Sequence, residues 1–181
     1  MPPNPWPHHL ETIRKLAERY RDDPEVIALI VGGSIAKGWA REDSDVDFML
    51  VVSDDRYREA FARRDLPIMD SDIAAYPGGY VDGKKVDCGF LRDVASHGSE
   101  PARSAFVGAW VEFSRDSEVD RLVRAIPVYP EEGHEDRLTS FYSQVMLLGG
   151  FFVKEAAKRD DRYLMAFATT ELSLYAMRIV L

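Results

Sequence analysis

The chain has 181 residues, of which 46% are hydrophobic and 30% charged, as in a soluble globular protein with one domain or a domain and a helical appendage. Its formal net charge of −8 argues against a large nucleic-acid interface, and no apolar run approaches the roughly 20 residues of a membrane helix. A single cysteine, Cys88, and an N-terminus without signal-peptide features fit a reducing compartment. We therefore expect a cytoplasmic protein without nucleic-acid or membrane partners.

Helices and strands alternate in the structure predicted for residues 9–64. Apolar residues at helical spacing, such as Leu10, Ile13 and Leu16, favour an amphipathic helix at the start. Two continuous apolar runs, each of the length of a single strand, favour buried β-strands. The elements predicted here are a helix over 9–21, a strand over 26–31, a short helix over 35–40, a strand over 46–52 and a helix over 54–64.

Turn signals interrupt this pattern between residues 65 and 125. The dipeptide Asp82-Gly83 is a strong hairpin signal, and we expect a turn there. The turn would lead into a strand over 84–91, with Asp87 set among apolar neighbours. The other elements predicted in this stretch are strand pieces at 73–76 and 80–81, a helix over 102–108, a strand over 109–114, and a helix that Asp116 or Ser117 caps and that ends at Ala125.

The character of the chain changes at a linker bracketed by Pro127 and Pro130. The residues after it lack proline and repeat apolar side chains at helical spacing, so we expect at least two long helices. We therefore predict two domains, 1–128 and 129–181, the second of them helical. The last helix has no C-cap signal, which fits a helix that ends against a partner or a chain that continues beyond Leu181.

The most informative motif lies between the two predicted strands of the first half. Gly33-Ser34 follows the first apolar run, and after ten residues Asp45-Val46-Asp47 opens the second. Glycine lets the backbone approach a phosphate closely, and the Ser34 hydroxyl adds a further polar group. Asp45 and Asp47, at positions i and i+2 of a strand, project to the same face. The pattern therefore predicts a phosphate cradle beside a pair of carboxylates.

A third carboxylate, Asp87, is predicted in a later strand. Exposed edge and turn positions are the bland explanation for acidic residues in strands, but three such groups with a Gly-Ser turn favour a site. Carboxylates that converge repel one another, which implies bound cations. We expect Asp45, Asp47 and Asp87 to be catalytic residues that hold two Mg²⁺ ions beside a nucleoside triphosphate.

The spacing Gly33-Ser34-x10-Asp45-x-Asp47, with Asp87 on a later strand, resembles the signature of the nucleotidyltransferase superfamily, which includes DNA polymerase beta. The small size and the helical tail resemble antibiotic nucleotidyltransferases of the aminoglycoside and lincosamide type. The motifs cover residues 26–91, and beyond them the likeness is one of general layout. The resemblance implies an α/β (α+β) nucleotidyltransferase fold, with a mixed β-sheet flanked by helices and a C-terminal helical domain after it.

The resemblance also implies a role for each motif residue. Gly33 and Ser34 would hold the β- and γ-phosphates of the triphosphate. Asp45 and Asp47 would ligate both metal ions, and Asp87 would complete one metal site and activate the attacking hydroxyl. Lys37 and Arg41 lie in the spacer and could reach phosphate, although a solvated helix face explains them equally well.

The activity implied is transfer of a nucleoside monophosphate, AMP from ATP, to a hydroxyl group with release of pyrophosphate. The expected acceptor is a small hydroxylated, cationic molecule such as an aminoglycoside, which would make the protein an antibiotic-resistance enzyme. One alternative is an antitoxin-type enzyme that adenylylates a partner protein. Another alternative is a non-catalytic nucleotide-binding module. Separately, the C-terminal helices offer a surface for a homodimer.

Overall fold

The computed structural model describes residues 5–180. The chain divides into two compact units, one that extends to Tyr129 and one that starts at Pro130. The first unit contains a β-sheet with helices on both faces, and the second is helical.

The sheet of the first unit has five strands in the order β3-β4-β2-β1-β5. β2 and β4 are parallel, whereas the other neighbouring pairs are antiparallel, so the sheet is mixed. This sheet, its flanking helices and the C-terminal helices confirm the predicted fold class. The strands are β1 (Val26–Val31), β2 (Val46–Val52), β3 (Pro67–Asp70), β4 (Val81–Val86) and β5 (Trp110–Ser114).

Six helices accompany these strands within the described part of the first unit. α3 begins at a Ser53 cap and α6 at the Asp116 cap that the sequence suggested, because each side chain accepts a hydrogen bond from the first helical turn. The helices are α1 (Pro7–Arg21), α2 (Gly33–Ala36), α3 (Asp54–Arg63), α4 (Cys88–His97), α5 (Glu100–Ser104) and α6 (Ser117–Ala125).

Apolar side chains cover both faces of the sheet, as the continuous hydrophobic runs of β1 and β2 require. On one face, Leu16 of α1 packs in a cluster with Phe48 and Leu50. On the other face, Leu91 of α4 and Val123 of α6 pack in a second cluster. The alternation of β2 places Asp45 and Asp47 on this second face, at the end where β2 begins.

The stretch from 65 to 91 differs from the prediction. The strand lies at Pro67–Asp70 and not at 73–76, and Asp82-Gly83 lies inside β4 and not in a hairpin turn. Gly83 is paired with Phe48, and a Cβ atom on it would lie 2.3 Å from the Phe48 ring. The glycine therefore makes room for a core aromatic ring, which explains a turn-like dipeptide within a strand.

The second unit consists of α7 (His134–Leu147), a π-helical turn (Leu148–Phe152), α8 (Val153–Arg159) and α9 (Arg162–Val180). The π-helical turn contains Gly149 and Gly150, and Leu172 of α9 lies 3.5 Å from where a Cβ of Gly149 would be. No helix within residues 5–180 combines the length and apolar character needed to cross a bilayer.

Candidate active site

Gly33 forms the turn between β1 and α2, and Asp47 lies directly against it. Gly33 has a φ of +63°, and a Cβ atom there would lie 1.7 Å from Asp47 Oδ2. The Ser34 backbone N–H donates a hydrogen bond to the Asp47 carboxylate. The Ser34 Oγ atom is buried and finds no hydrogen-bond partner among the described residues. Only glycine satisfies both the backbone conformation and the close approach of the carboxylate.

The parallel pairing of β2 and β4 brings a different third carboxylate to this turn. Asp47 and Asp82 are direct partners in the register, with their Cα atoms paired across the two strands. One pair further toward the strand starts, the Val46 N–H donates to the Tyr80 carbonyl at 3.2 Å. Asp45, Asp47 and Asp82 thus lie at one edge of the sheet.

The charges of these side chains act on one another. Burial is the main cause of a raised pKa at Asp47, and the nearby carboxylates of Asp45 and Asp82 raise it further. The Ser34 N–H and the Lys37 ammonium group oppose this rise. A second positive charge at this point would relieve the repulsion between the carboxylates, as a bound cation does.

Asp87, the predicted third member, lies at the other end of β4. It is five residues beyond Asp82, which corresponds to about 16 Å along a strand. Its side chain caps α4, because it accepts a hydrogen bond from the Phe90 N–H at 2.6 Å. The expectation that Asp87 joins Asp45 and Asp47 is therefore corrected, since a capping carboxylate at the far end of the strand cannot reach them.

Asp82 is the residue that sequence reasoning missed, because Asp-Gly is a strong turn signal. A strand over this stretch was indicated by Val81 and Val86, which lie at the two ends of a run without proline. Both valines are buried in the core, as in a strand that crosses the sheet.

The two basic residues of the spacer have different surroundings. The Lys37 ammonium group lies 3.3 Å from Ser104 Oγ and 5.5 Å from the Trp39 ring centroid, and its charge acts on Asp47. Arg41 instead pairs with Asp43 at 3.1 Å, and its side chain is largely exposed. Lys37 thus lies near the carboxylates, whereas the Arg41 guanidinium is held by its own loop.

A pocket of about 220 Å³ opens beside Asp47 and Asp82. Small and apolar side chains line most of it, so its shape leaves space next to the carboxylates. Its lining residues in chain order are Ile30, Gly32, Gly33, Asp47, Phe48, Met49, Asp82, Gly83, Lys84, Ala105 and Ala109.

The carboxylates have the chemistry of a divalent-cation site without converging on one point. Among residues 5–180, no group of three or more His, Cys, Asp or Glu side chains is arranged to hold a metal ion. The donors themselves fit a hard cation, because they are carboxylate oxygens, and burial together with the nearby carboxylates raises the pKa of Asp47. The residues present therefore fit a divalent cation by chemistry.

The part of the chain that carries these residues is similar to a known protein family. Residues 13–94 match the family model described as a nucleotidyltransferase domain. The match includes the Gly33-Ser34 turn and all three carboxylates of the sheet edge. For this part of the chain, the match confirms the resemblance to nucleotidyltransferases noted in the sequence. A domain of this family is consistent with transfer of a nucleotidyl group, and with binding of a nucleoside triphosphate and an acceptor.

A solved structure extends the likeness in fold to most of the chain. The chain is similar to a nucleotidyltransferase-like protein from Exiguobacterium sibiricum 255-15, with a TM-score of 0.53 and 14% sequence identity. The alignment covers 94% of this chain and 56% of that protein, so this chain spans little more than half of its length. No curated protein matches the chain.

Proposed function

We propose that this protein transfers a nucleoside monophosphate, most favourably AMP from ATP, to a hydroxyl group of a small molecule and releases pyrophosphate. Residues 1–128 would be the catalytic domain, and residues 129–181 a helical domain. The observation that carries the proposal is the alignment of Asp47 with Asp82 directly beside the Gly33-Ser34 turn. Phosphate-binding backbone and paired carboxylates then lie within one short edge of the sheet.

Each residue of this edge has a distinct task in the proposal. The backbone at Gly33 holds the terminal phosphates, because a glycine lets the chain approach them closely. Lys37 neutralises phosphate charge from the adjoining helix end. The buried Ser34 hydroxyl, which has no partner among residues 5–180, donates to a phosphate oxygen.

The carboxylates prepare the attack on the α-phosphorus. Asp45, Asp47 and Asp82 would hold two Mg²⁺ ions, whose positive charge stabilises the attacking oxygen and the leaving pyrophosphate when they are bound. Asp82 lies on the strand beside Asp47 and accepts the proton of the acceptor hydroxyl. The pocket next to Asp47 orients that hydroxyl opposite the leaving group, so that the chain's own contribution is positioning and charge.

The surroundings favour a cationic acceptor. Tyr80 is exposed at the same edge, and its pKa is raised above all by the hydrogen bond between its hydroxyl and Asp45, and further by the charges of Asp45, Asp82 and Asp47. The three carboxylates bring negative charge close to the exposed surface of this edge, which supports the choice of a cationic acceptor. A polyhydroxylated amine, such as an aminoglycoside, would bring both the hydroxyl nucleophile and the charge that such a surface attracts.

The test is pyrophosphate release with Mg²⁺ and each common nucleoside triphosphate against a panel of aminoglycosides and lincosamides. The expected result is release that depends on one acceptor and is lost in Asp47→Asn. Full activity in Asp47→Asn would overturn the proposed site. Transfer of label to a protein in place of a small molecule would overturn the proposed acceptor class.

A further inference from the structure

Two histidines and a tyrosine hold the loop immediately before Asp45. They do so from the face of the sheet on which α1 packs, opposite to the face that carries Asp45 and Asp47. The Nε2–H group of His9 donates to the Ser44 carbonyl at 3.0 Å, and the Tyr76 hydroxyl donates to the same oxygen at 2.5 Å. His8 Nε2 lies 2.9 Å from the Glu42 carbonyl in the same loop. A carbonyl with two side-chain donors is fixed in direction more firmly than one that faces water.

His9 is an unusual residue to find at this place. It is fully buried, with 0% of its surface exposed, and its Nδ1 atom has no hydrogen-bond partner among the described residues. Because a carbonyl can only accept, Nε2 carries the proton and Nδ1 is left as a bare acceptor. An apolar side chain would avoid the unfavourable burial of that nitrogen, so stability alone does not explain a histidine here.

Contacts within the first unit keep these donors in place. The ring centroids of His8 and Tyr76 are 4.4 Å apart, and those of His9 and Tyr76 are 5.2 Å apart. The Thr12 hydroxyl donates to the His8 carbonyl at 2.9 Å and accepts from the Ala75 N–H at 3.0 Å. The start of α1 and the segment before β4 are thereby joined at the loop that precedes Asp45.

We propose that His9 and Tyr76 are positioning residues, which fix the Ser44 carbonyl and through it the backbone that carries Asp45. This inference rests on the proposed function, because Asp45 matters only as part of a cation and nucleotide site. Neither residue touches the reacting atoms. Their effect passes through one peptide group, whose carbonyl belongs to Ser44 and whose N–H belongs to Asp45.

The expected effect is on the affinity of the site, and it differs from that of a merely structural residue. Loss of one donor should weaken binding of Mn²⁺ with a hydrolysis-resistant ATP analogue by about tenfold, the lower end of the effect of groups that orient metal ligands. A variant that is only less stable remains almost entirely folded in the assay and keeps the same dissociation constant. The dissociation constant therefore separates positioning from stability.

The chain offers matched variants for this experiment. Tyr76→Phe removes one hydroxyl and keeps the ring, whereas Tyr57→Phe makes the same change on α3, where Tyr57 packs against the core near Asp87. His9→Gln retains a donor close to the position of Nε2, and His9→Leu removes it. Calorimetric titration with Mn²⁺ and α,β-methylene ATP, together with thermal unfolding in the absence of metal, would be measured for all four variants.

Weaker binding in Tyr76→Phe and His9→Leu, with wild-type binding in Tyr57→Phe and His9→Gln, is the result expected. Equal dissociation constants in wild type and Tyr76→Phe would overturn the positioning role while leaving the proposed function intact. Absence of binding by the unmodified protein would overturn the proposed function, and with it this inference. If His9→Leu does not fold, the comparison between Tyr76→Phe and Tyr57→Phe decides the question alone.

Discussion

Asp47 and Asp82 are register partners on adjacent parallel strands, so their side chains leave the sheet on the same face. Both strands begin at this edge, and the loops that precede them bring Asp45 and Tyr80 to the same place. Asp87 leaves the other end of β4 and caps α4. The geometry thus places Asp82 in the candidate site and makes Asp87, which follows the end of β4, a structural residue.

The capping role of Asp87 can be measured separately from the site. Asp87→Ala should lower the free energy of unfolding by about 1 kcal/mol, because the first turn of α4 loses its side-chain acceptor. Asp87→Asn should be close to wild type in stability, since asparagine also caps helices well. Urea unfolding of both variants provides the measurement. A stability of Asp87→Ala equal to that of wild type would show that the hydrogen bond to Phe90 contributes nothing.

Gly33 should tolerate no side chain. Gly33→Ala combines an unfavourable backbone conformation, at a φ of +63°, with an overlap between the new Cβ and the Asp47 carboxylate. Gly78 provides the control, because it has a φ of +73° and nothing within 4 Å of a Cβ. We expect Gly78→Ala to lose about 1 kcal/mol of stability and Gly33→Ala clearly more. Gly33→Ala should also fail to bind nucleotide. Similar losses in the two variants, measured by chemical denaturation, would contradict the close approach of Asp47 to Gly33.

Arg103 is a buried cation that holds the end of the first unit. Only 4% of its surface is exposed, and its guanidinium carbon lies 5.0 Å from the Tyr129 ring centroid. Its donors bind four backbone carbonyls, those of Ala95, Gly98, Ile126 and Val128. Arg103→Met should cost about 3 kcal/mol or more, because several buried acceptors lose their partner.

Arg103→Lys provides the comparison for that measurement. Lysine retains the charge but has a single nitrogen, so it cannot reach all four carbonyls and should recover only part of the loss. Urea unfolding curves would give both values. An Arg103→Met variant as stable as wild type would show that these hydrogen bonds do not support the fold.

His9 should make folding stability depend on pH below neutrality. Burial is the main cause that lowers its pKa from the ordinary value of 6.5, and the neighbouring His8 ring lowers it further. Above pH 6.5 the imidazole is neutral in both states, and its full contribution is present. As the pH falls below that value the unfolded chain binds a proton first, so stability decreases until the folded pKa is passed.

Replacing the imidazole of His9 removes its pH-dependent contribution to folding stability. The difference in unfolding free energy between wild type and His9→Gln, measured from about pH 7.5 to about pH 5.5, should shift toward the variant as the pH falls. A difference that stays constant over this range would show that His9 titrates equally in the folded and unfolded chain.

Much of the fold could be predicted from local patterns. The apolar runs of β1 and β2 and the helical spacing of α1 are local signals, and each of these elements is present. The Gly-Ser turn and the Asp45–Asp47 pair were also recognisable, because their chemistry depends on a short spacing. These features required no knowledge of distant contacts.

The remainder depends on contacts between distant parts of the chain. Asp82-Gly83 has the local composition of a turn, and only the packing of Gly83 against Phe48 makes it part of a strand. Asp87 fits a strand by its neighbours, but its position at the end of β4 makes it a cap. The contact of His9 with Ser44 joins residues 35 positions apart, which no periodic pattern records.

The most direct test of the site compares Asp82→Asn with Asp87→Asn. Binding of Mn²⁺ with α,β-methylene ATP would be measured by calorimetry for both variants and for the unmodified protein. If Asp82 completes the site with Asp45 and Asp47, Asp82→Asn should lose at least about tenfold in affinity, whereas Asp87→Asn should bind as wild type does. The opposite result, with binding lost in Asp87→Asn and kept in Asp82→Asn, would contradict the assignment of the third carboxylate.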